Sequence, residues 1–330
     1  MTPEAITGFE NRLIRMHKHI GKWARRQGIT CFRIYDRDVP QFPLCIDKYE
    51  DFIIVSEYRT SKTAEGDEHD QWIDLCRQII AKTLSVPIAH IDFRMRERKK
   101  GSSQYEKTDT AGMEQVVHEA GLKFQIQLSA YLDPGLFLDH RITRGMVREE
   151  AKGKRCLNLF AYTGSFSVYC AAGGSASTTT VDLSRTYCTW AMRNFTLNDF
   201  AARIVFDRDH KEASDLLPLK NGNLVLQRDV LDFVDDCPPS SFDLAVLDPP
   251  SFSNSKRMAA SFDVQRDHSD LIRRVFRLLS PGGILYFSNN LTTFELDTLP
   301  GLVAKEITSQ TVPMDFRNKR PHRCYRILRK

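Results

Sequence analysis

The sequence predicts an α/β protein in which a small N-terminal α+β domain precedes a larger domain built on an open, mostly parallel sheet. Three observations predict it. From Arg144 onward, short β-type apolar runs alternate with segments of helical periodicity, the pattern of βαβ units. Several of those runs end in small or polar residues, at 158–165, 180–184, 227–230 and 247–258, and an open parallel sheet binds its ligands at such carboxyl ends. The 330 residues, 42% of them hydrophobic, suffice for one large core and a smaller one.

Each element follows from its own pattern. Across 5–27, Phe9, Leu13, Met16, Ile20 and Trp23 recur at helical spacing, with Arg12, Arg15, Lys22 and Arg26 between them, and Gly28 ends the helix. Short β-type runs at 30–35, 44–48 and 52–58 are punctuated by Pro40 and Pro43. A helix over 70–84 follows, and strands at 88–98 and 122–128 flank a Gly/Ser/Lys-rich segment. The texture changes at Leu132-Asp133-Pro134-Gly135, which puts the domains at 1–132 and 133–330. The second domain reads as strands at 155–160, 177–182, 223–227, 243–248 and 283–288, separated by helices at 165–173, 185–198, 230–236 and 263–279. Runs at 303–312 and 322–329 complete a seven-stranded sheet. The stretch 207–221 fits no regular element and reads as a surface insertion.

Composition removes several classes of function. The balance of 47 basic to 42 acidic side chains, net +5, matters only where it is clustered. One cluster is Arg94, Arg96, Arg98, Lys99 and Lys100; another runs from Arg317 through Lys319, Arg320, His322, Arg323, Arg326 and Arg329 to Lys330. Either alone reads as a solvated face, but two of them beside a nucleoside-type pocket point to a polyanion. The eight cysteines are scattered without a C-x-x-C pair, so reduced thiols of a cytoplasmic protein are expected, with no disulfide scaffold and no metal site. No signal core and no run of membrane-spanning length is present in the sequence, so no membrane partner is expected.

The chemistry concentrates at the strand ends. In Ala161-Tyr162-Thr163-Gly164-Ser165 the glycine lets backbone approach a ligand and the following helix offers free N–H groups. The G-x-G-x-x-G dinucleotide fingerprint is absent, which argues against hydride transfer. Asp182 ends the second core strand, where a carboxylate accepts both hydroxyls of a ribose; a lone Asp there also suits a helix N-cap, for which Ser184 competes. Asp229 ends the third strand and suits an adenine amino group or a plain surface position. After the fourth strand, Asp248-Pro249-Pro250 makes a rigid rim without backbone donors, leaving carbonyls and one carboxylate to face a ligand.

On these motifs the chain resembles the class I S-adenosylmethionine-dependent ribosomal RNA methyltransferases, most closely the C-terminal, guanine-N7 half of the bifunctional large-subunit enzymes. The likeness runs from about Phe9 onward and is carried by Gly135-Leu136-Phe137-Leu138-Asp139-His140-Arg141, Asn158 to Ser165, Thr178 to Asp182, Asp248 to Met258, Phe262 to His268, Phe287 to Asn290 and His322-Arg323-Cys324. The resemblance implies a Rossmann-like domain that binds S-adenosylmethionine. It places Asp139, Arg141, Tyr162, Thr163 and Gly164 at the methionine end, Asp182 at the ribose and Asp229 at the adenine, with Phe160, Ser184, Asp248 and Pro249 completing the cofactor set. Asp248, Ser251 and Phe252 border the target base. The partner implied is large-subunit ribosomal RNA. The N-terminal half of the bifunctional enzymes is not in this sequence, which reads either as a stand-alone enzyme or as an excised part, and a separate protein carrying that half is a further candidate partner.

Residue types favour guanine N7 within that group. Methylation of cytosine C5 needs a cysteine thiolate, and neither the loop after Pro250 nor the Ser288-Asn289-Asn290 strand end has one. Methyltransferases of amino groups commonly carry an aromatic residue directly after the two prolines, where Ser251 stands here. Guanine N7 has an available lone pair, so alignment and electrostatics carry its rate. In A-form RNA that atom faces a groove protein cannot enter, so the base must be opened out. Phe252 would stack on it, with Asp248 the catalytic carboxylate, and Lys256 and Arg257 would hold neighbouring phosphates beside Arg96, Arg98, Lys99 and Lys100. A non-catalytic RNA-binding protein that kept the fold is the rival from another class.

Overall fold

The computed structural model describes residues 2–58, 66–96, 113–128, 133–206, 213–218, 222–253, 261–317 and 320–329. The chain forms two compact units, one made of Met1–Leu122, Ile126–Pro134 and Met314–Lys319, the other of Lys123–Gln125, Gly135–Pro313 and Arg320–Lys330.

In the first unit, α1 (Pro3–Gln27) starts at Thr2, whose side chain accepts from the Ala5 N–H, and stops at Gly28, which takes the left-handed φ of 66°. Its buried stripe of Phe9, Leu13, Met16, Ile20 and Ala24 packs on β1 (Cys31–Asp36), β2 (Leu44–Tyr49) and β3 (Phe52–Tyr58). Phe9 stacks on Phe42 at 4.2 Å. The helix α2 (Asp67–Leu84) supplies the crossover that lets β4 (Ile91–Arg96) join β3 in parallel, after three antiparallel partners. Two further strands, β5 (Met113–Glu119) and β6 (Leu122–Leu128), pair with each other. The segment Met314–Lys319 is bound into this unit: Asp315 accepts the Arg33 N–H at 2.9 Å, Arg317 pairs with Asp38 at 3.1 Å, and the Arg33 guanidinium lies 4.3 Å from the Phe316 ring centre.

The second unit begins with α3 (Arg141–Glu150) and then alternates β7 (Arg155–Leu159), α4 (Ser165–Ala172), β8 (Ser177–Asp182), α5 (Arg185–Leu197), β9 (Ala202–Val205), β10 (Asn223–Gln227), α6 (Val230–Asp236) and β11 (Phe242–Leu247). A small hairpin of β12 (Phe252–Ser253) and β13 (Phe262–Asp263) leads into α7 (Val264–Leu278), β14 (Leu279–Asn289), β15 (Leu302–Glu306), α8 (Thr308–Thr311) and β16 (Arg323–Arg329). The sheet runs β15-β16-β14-β11-β7-β8-β10-β9, parallel from β14 to β9 and antiparallel at β16 and β15. Alternate residues feed two cores: Leu157, Leu159, Ala245, Leu247, Leu285 and Phe287 on one face, and Cys156, Leu244, Val246, Ile284 and Tyr286 on the other.

The structure corrects the sequence expectation at several places. The sheet has eight strands, not seven, because Ala202–Val205 adds an edge strand too short to show a period. The 88–98 strand starts only at Ile91, after a 3-10 turn at Ile88–His90 that follows Pro87. The 303–312 strand ends at Glu306, and Thr308–Thr311 turns into helix. Within 207–221 the turn Ala213–Leu216 puts Leu216 into the core, so that stretch is not wholly superficial. Among the described residues no helix is long and apolar enough to cross a membrane.

Candidate functional site

Five adjacent parallel strands end at one edge of the sheet. Leu247 lies opposite both Phe287 and Leu159, Leu159 opposite Val181, and Asp182 opposite Gln227. The residues just past these positions, Ser288, Asp248, Phe160, Asp182 and Asp229, therefore line that edge in order. Strand succession reverses between β7 and β11, and such a reversal opens a crevice at the carboxyl ends.

The β7–α4 turn is wound tightly enough that three of its residues take left-handed φ: Phe160 at 54°, Tyr162 at 52° and Gly164 at 71°. A Cβ on Gly164 would stand 2.8 Å from the Ala191 Cβ, so glycine is needed both for conformation and for packing on α5. Asp182 holds the turn. Its Oδ2 accepts the Tyr162 N–H at 2.8 Å and its Oδ1 accepts the Ser184 N–H at 2.8 Å. Burial still outweighs those two donors and pushes the carboxyl up to about 6. Thr163 is fully buried; its hydroxyl donates to the Gly135 carbonyl at 2.5 Å and its carbonyl accepts from Asn194 at 2.9 Å. Ser184 is the N-cap of α5. Asp229 caps α6 through the Leu231 N–H at 2.7 Å, and burial raises its carboxyl too. Two aromatic rings to which the sequence alone assigns no role, Phe137 and Tyr187, flank Tyr162 at 5.1 and 4.6 Å.

The second half of the edge is built around Asp248. Its Oδ1 accepts the Ser288 hydroxyl at 2.5 Å, and its Oδ2 lies 3.5 Å from His140 Nε2. Pro249 behind it is buried, while Phe252 is 53% exposed although β12 pairs it with Asp263. Ser251 donates to Asn290 at 2.5 Å. Asn289 is fully buried, and its Nδ2 has no partner among the described residues. Cys324 is also buried; burial first, then the Asp248 charge, pushes its thiol well up and keeps it protonated. Asp139 accepts the Nδ1–H of His322 at 2.9 Å, and Arg141 opens α3. Sequence reasoning misses His140 and His322 as site residues. The signal for His140 is its place between Asp139 and Arg141, and His322 is hidden among the cations that surround it in the sequence.

The basic clusters divide. Arg96 ends β4, whereas Arg98, Lys99, Lys100, Lys256 and Arg257 lie outside the described residues. Among the described residues most cations of the C-terminal cluster form internal links: Arg317 pairs with Asp38, His322 with Asp139, Arg323 with Glu306, and Arg326 with Glu150, while Arg329 donates to the Phe276 carbonyl. Arg94 is likewise buried, pairing with Asp92 and the Gln127 carbonyl.

Comparison with known proteins shows the family. The S-adenosylmethionine-dependent methyltransferase family model matches residues 75–221. The chain is 47% identical over 329 residues to ribosomal RNA large subunit methyltransferase K of Neisseria meningitidis, covering 98% of this chain and 88% of that one. It is 43% identical over 327 residues to ribosomal RNA large subunit methyltransferase K/L of Pseudomonas putida, of which it spans only 42%. Among solved structures, a protein from Streptococcus mutans described as an S-adenosylmethionine-dependent methyltransferase aligns with a TM-score of 0.71 at 22% identity, covering 98% of this chain and 81% of that one. Another, described as a methyltransferase complexed with S-adenosylhomocysteine, aligns at 0.67 and 22%, covering 97% and 81%. These two likenesses concern the fold.

Proposed function

The chain belongs to the S-adenosylmethionine-dependent family of ribosomal RNA large subunit methyltransferase K, and from that premise we propose that it methylates N7 of a guanine in large-subunit ribosomal RNA. When bound, S-adenosylmethionine supplies an electrophilic methyl group whose positive charge passes to the base as it transfers. The strand-end edge fits that cofactor. Asp182 keeps a free lone pair on each oxygen for ribose hydroxyls, Asp229 faces the adenine side, and the aromatic rings around Tyr162 wall the methionine end with Asp139 and Arg141.

The observation that carries N7 is the setting of Asp248. A fixed carboxylate is followed four residues later in the chain by an exposed aromatic ring, Phe252, and the thiol that feels the Asp248 charge, Cys324, is buried and protonated. A carboxylate is an acceptor for the N–H groups on the guanine edge and lowers the energy of positive charge developing on the ring. Phe252 supplies a stacking face for a base taken out of its helix. No base need remove a proton, because the N7 lone pair is free. A C5 mechanism would need a thiolate that Cys324 is not.

The first unit provides a surface for the RNA backbone. On α1, Arg15, Lys18, Lys22 and Arg26 form one exposed stripe opposite the core face, and none of them pairs with an acid among the described residues. Such a stripe suits phosphates without reading sequence. The 88% coverage of the K relative gives no support to a separate protein carrying the other half, and a cytoplasmic location accords with the substrate. The test is chemical. Incubation with cofactor and unmodified large-subunit RNA should create one site cleaved by borohydride and aniline, as N7-methylguanine is; label on cytosine instead overturns the reading.

A further inference from the structure

Between the two halves of the strand-end edge lie two buried imidazoles flanked by two partly exposed carboxylates. His140 and His322 are 6% and 2% exposed, and their rings stack at 4.4 Å with planes 15° apart. Each imidazole has a carboxylate of its own: His322 Nδ1 is 2.9 Å from Asp139 Oδ2, and His140 Nε2 is 3.5 Å from Asp248 Oδ2. The same His140 Nε2 is also 3.9 Å from Asp139 Oδ2. Thr311 holds the far side of His322, with its hydroxyl 3.1 Å from Nε2.

Asp139, His140 and His322 bring their ligating atoms within 4.8 Å of one another, close enough to consider a metal. Ring geometry opposes that. A metal sits on each nitrogen's lone pair and so in each ring plane, and two stacked, nearly parallel rings do not offer planes that meet at one nearby point. The alternative is a polar chain in which His322 is hydrogen-bonded to Asp139 and His140 Nε2 faces both carboxylates at 3.5 and 3.9 Å. Burial, the largest influence on His140, lowers its affinity for a proton against the opposing pull of Asp248 and Asp139, with His322 and Arg144 also facing it and adding to the lowering. A neutral imidazole carries one N–H, and the acceptors among the described residues lie on the Nε2 side; Nδ1 is buried without a partner among them.

We propose that His140 is a positioning residue for methyl transfer, its Nε2–H fixing Asp248 from the side opposite Ser288. The proposal rests on the reading of Asp248 as the carboxylate that meets the target base. The Ser288 hydroxyl is bonded to Oδ1 and His140 Nε2 stands 3.5 Å from Oδ2, the outer limit of donor reach, so each oxygen faces a donor and rotation of the carboxylate is restrained as the base enters. Because the one N–H also faces Asp139, the residue joins the carboxylate on the cofactor side to the one on the base side.

A pair of nearly isosteric substitutions isolates the donor. His140→Gln places an amide N–H near the Nε2 position, and His140→Met fills similar space without donating. Steady-state kinetics on unmodified large-subunit RNA should show kcat within about fivefold of wild type for Gln and at least about tenfold lower for Met. RNA KM and the Kd of S-adenosylhomocysteine by calorimetry should change less than about threefold in either. Adding Asp248→Asn to His140→Met should then cost far less than Asp248→Asn does alone, since the two act as one unit. Equal kcat for Gln and Met, or additive losses in that cycle, overturns the proposal. Should His140→Met fail to bind S-adenosylhomocysteine, His140→Leu takes its place as the non-donating arm. The modified base made by the wild-type chain is identified separately. A product other than N7-methylguanine sinks the guanine reading and leaves the Gln–Met contrast to decide the role of His140.

Discussion

Cofactor affinity should fall as pH drops through about 6, and Asp182 should be the cause. Burial raises this carboxyl to about 6, so it takes up a proton well above the range where an ordinary aspartate does. Both oxygens already accept a backbone N–H, from Tyr162 and Ser184, and the remaining lone pairs are the ones two ribose hydroxyls would use. A proton on either oxygen removes one of those acceptors. At about pH 5 roughly one carboxyl in eleven is anionic, so affinity should be about tenfold weaker than at about pH 7.5. In the free protein the sign is reversed: the raised value favours the fold at low pH, and that contribution is lost as pH rises through about 6. The gain in melting temperature on adding S-adenosylhomocysteine should therefore grow from about pH 5 to about pH 7. Calorimetric titration of S-adenosylhomocysteine across that range, in buffers of different ionisation enthalpy, also counts the proton released. An affinity constant that stays within about twofold, or a slope that survives in Asp182→Ala, refutes the reasoning.

Other outcomes follow from neighbouring features. Gly164→Ala forces a side chain onto a backbone at φ 71° and against Ala191, so thermal melts should show a loss of about 1–3 kcal/mol with weakened cofactor binding; an unchanged melting temperature would contradict the packing. Reversing Arg15, Lys18, Lys22 and Arg26 to Glu should weaken RNA binding and flatten its log–log salt dependence by about 0.7–0.9 for each phosphate left without a cation, with cofactor titration unaffected. Cys324→Ser should retain methyl transfer while Asp248→Ala loses most of it, and the opposite result would restore the C5 alternative.

The sequence revealed most where one periodicity ruled a long segment. The stripe from Phe9 to Ile20 and the runs ending at Leu159, Asp182, Gln227 and Leu247 were legible because the buried faces of these elements leave little freedom in pattern. Short elements were not: β9 has four residues, and α3, whose buried residues include Thr143 and Arg144, hides its inner face behind polar side chains. At the site, Asp182 and Asp248 stood out because strand ends announce themselves. The His140–His322 stack did not, because the partners are 182 positions apart in the chain and meet only when β16 comes home beside β14. Charge was the least reliable guide. Cations from Arg317 to Arg329 look like a basic tail in sequence, yet most are spent on carboxylates and carbonyls of distant elements.

The membership of Met314–Lys319 in the first unit bears on how the chain is made. A ribosome delivers residues in order, and the partners of this segment, Arg33 and Asp38, emerge almost three hundred residues earlier. Until the last stretch is released, the Arg33 amide lacks the carboxylate that it meets in the finished protein, and Asp38 is without the Arg317 half of its pairing. The N-terminal portion therefore waits, incompletely stitched, through the synthesis of all the residues between. A chain cut near Pro134 would reproduce that waiting state permanently, which makes clean excision at an apparent boundary a poor route to the isolated N-terminal piece.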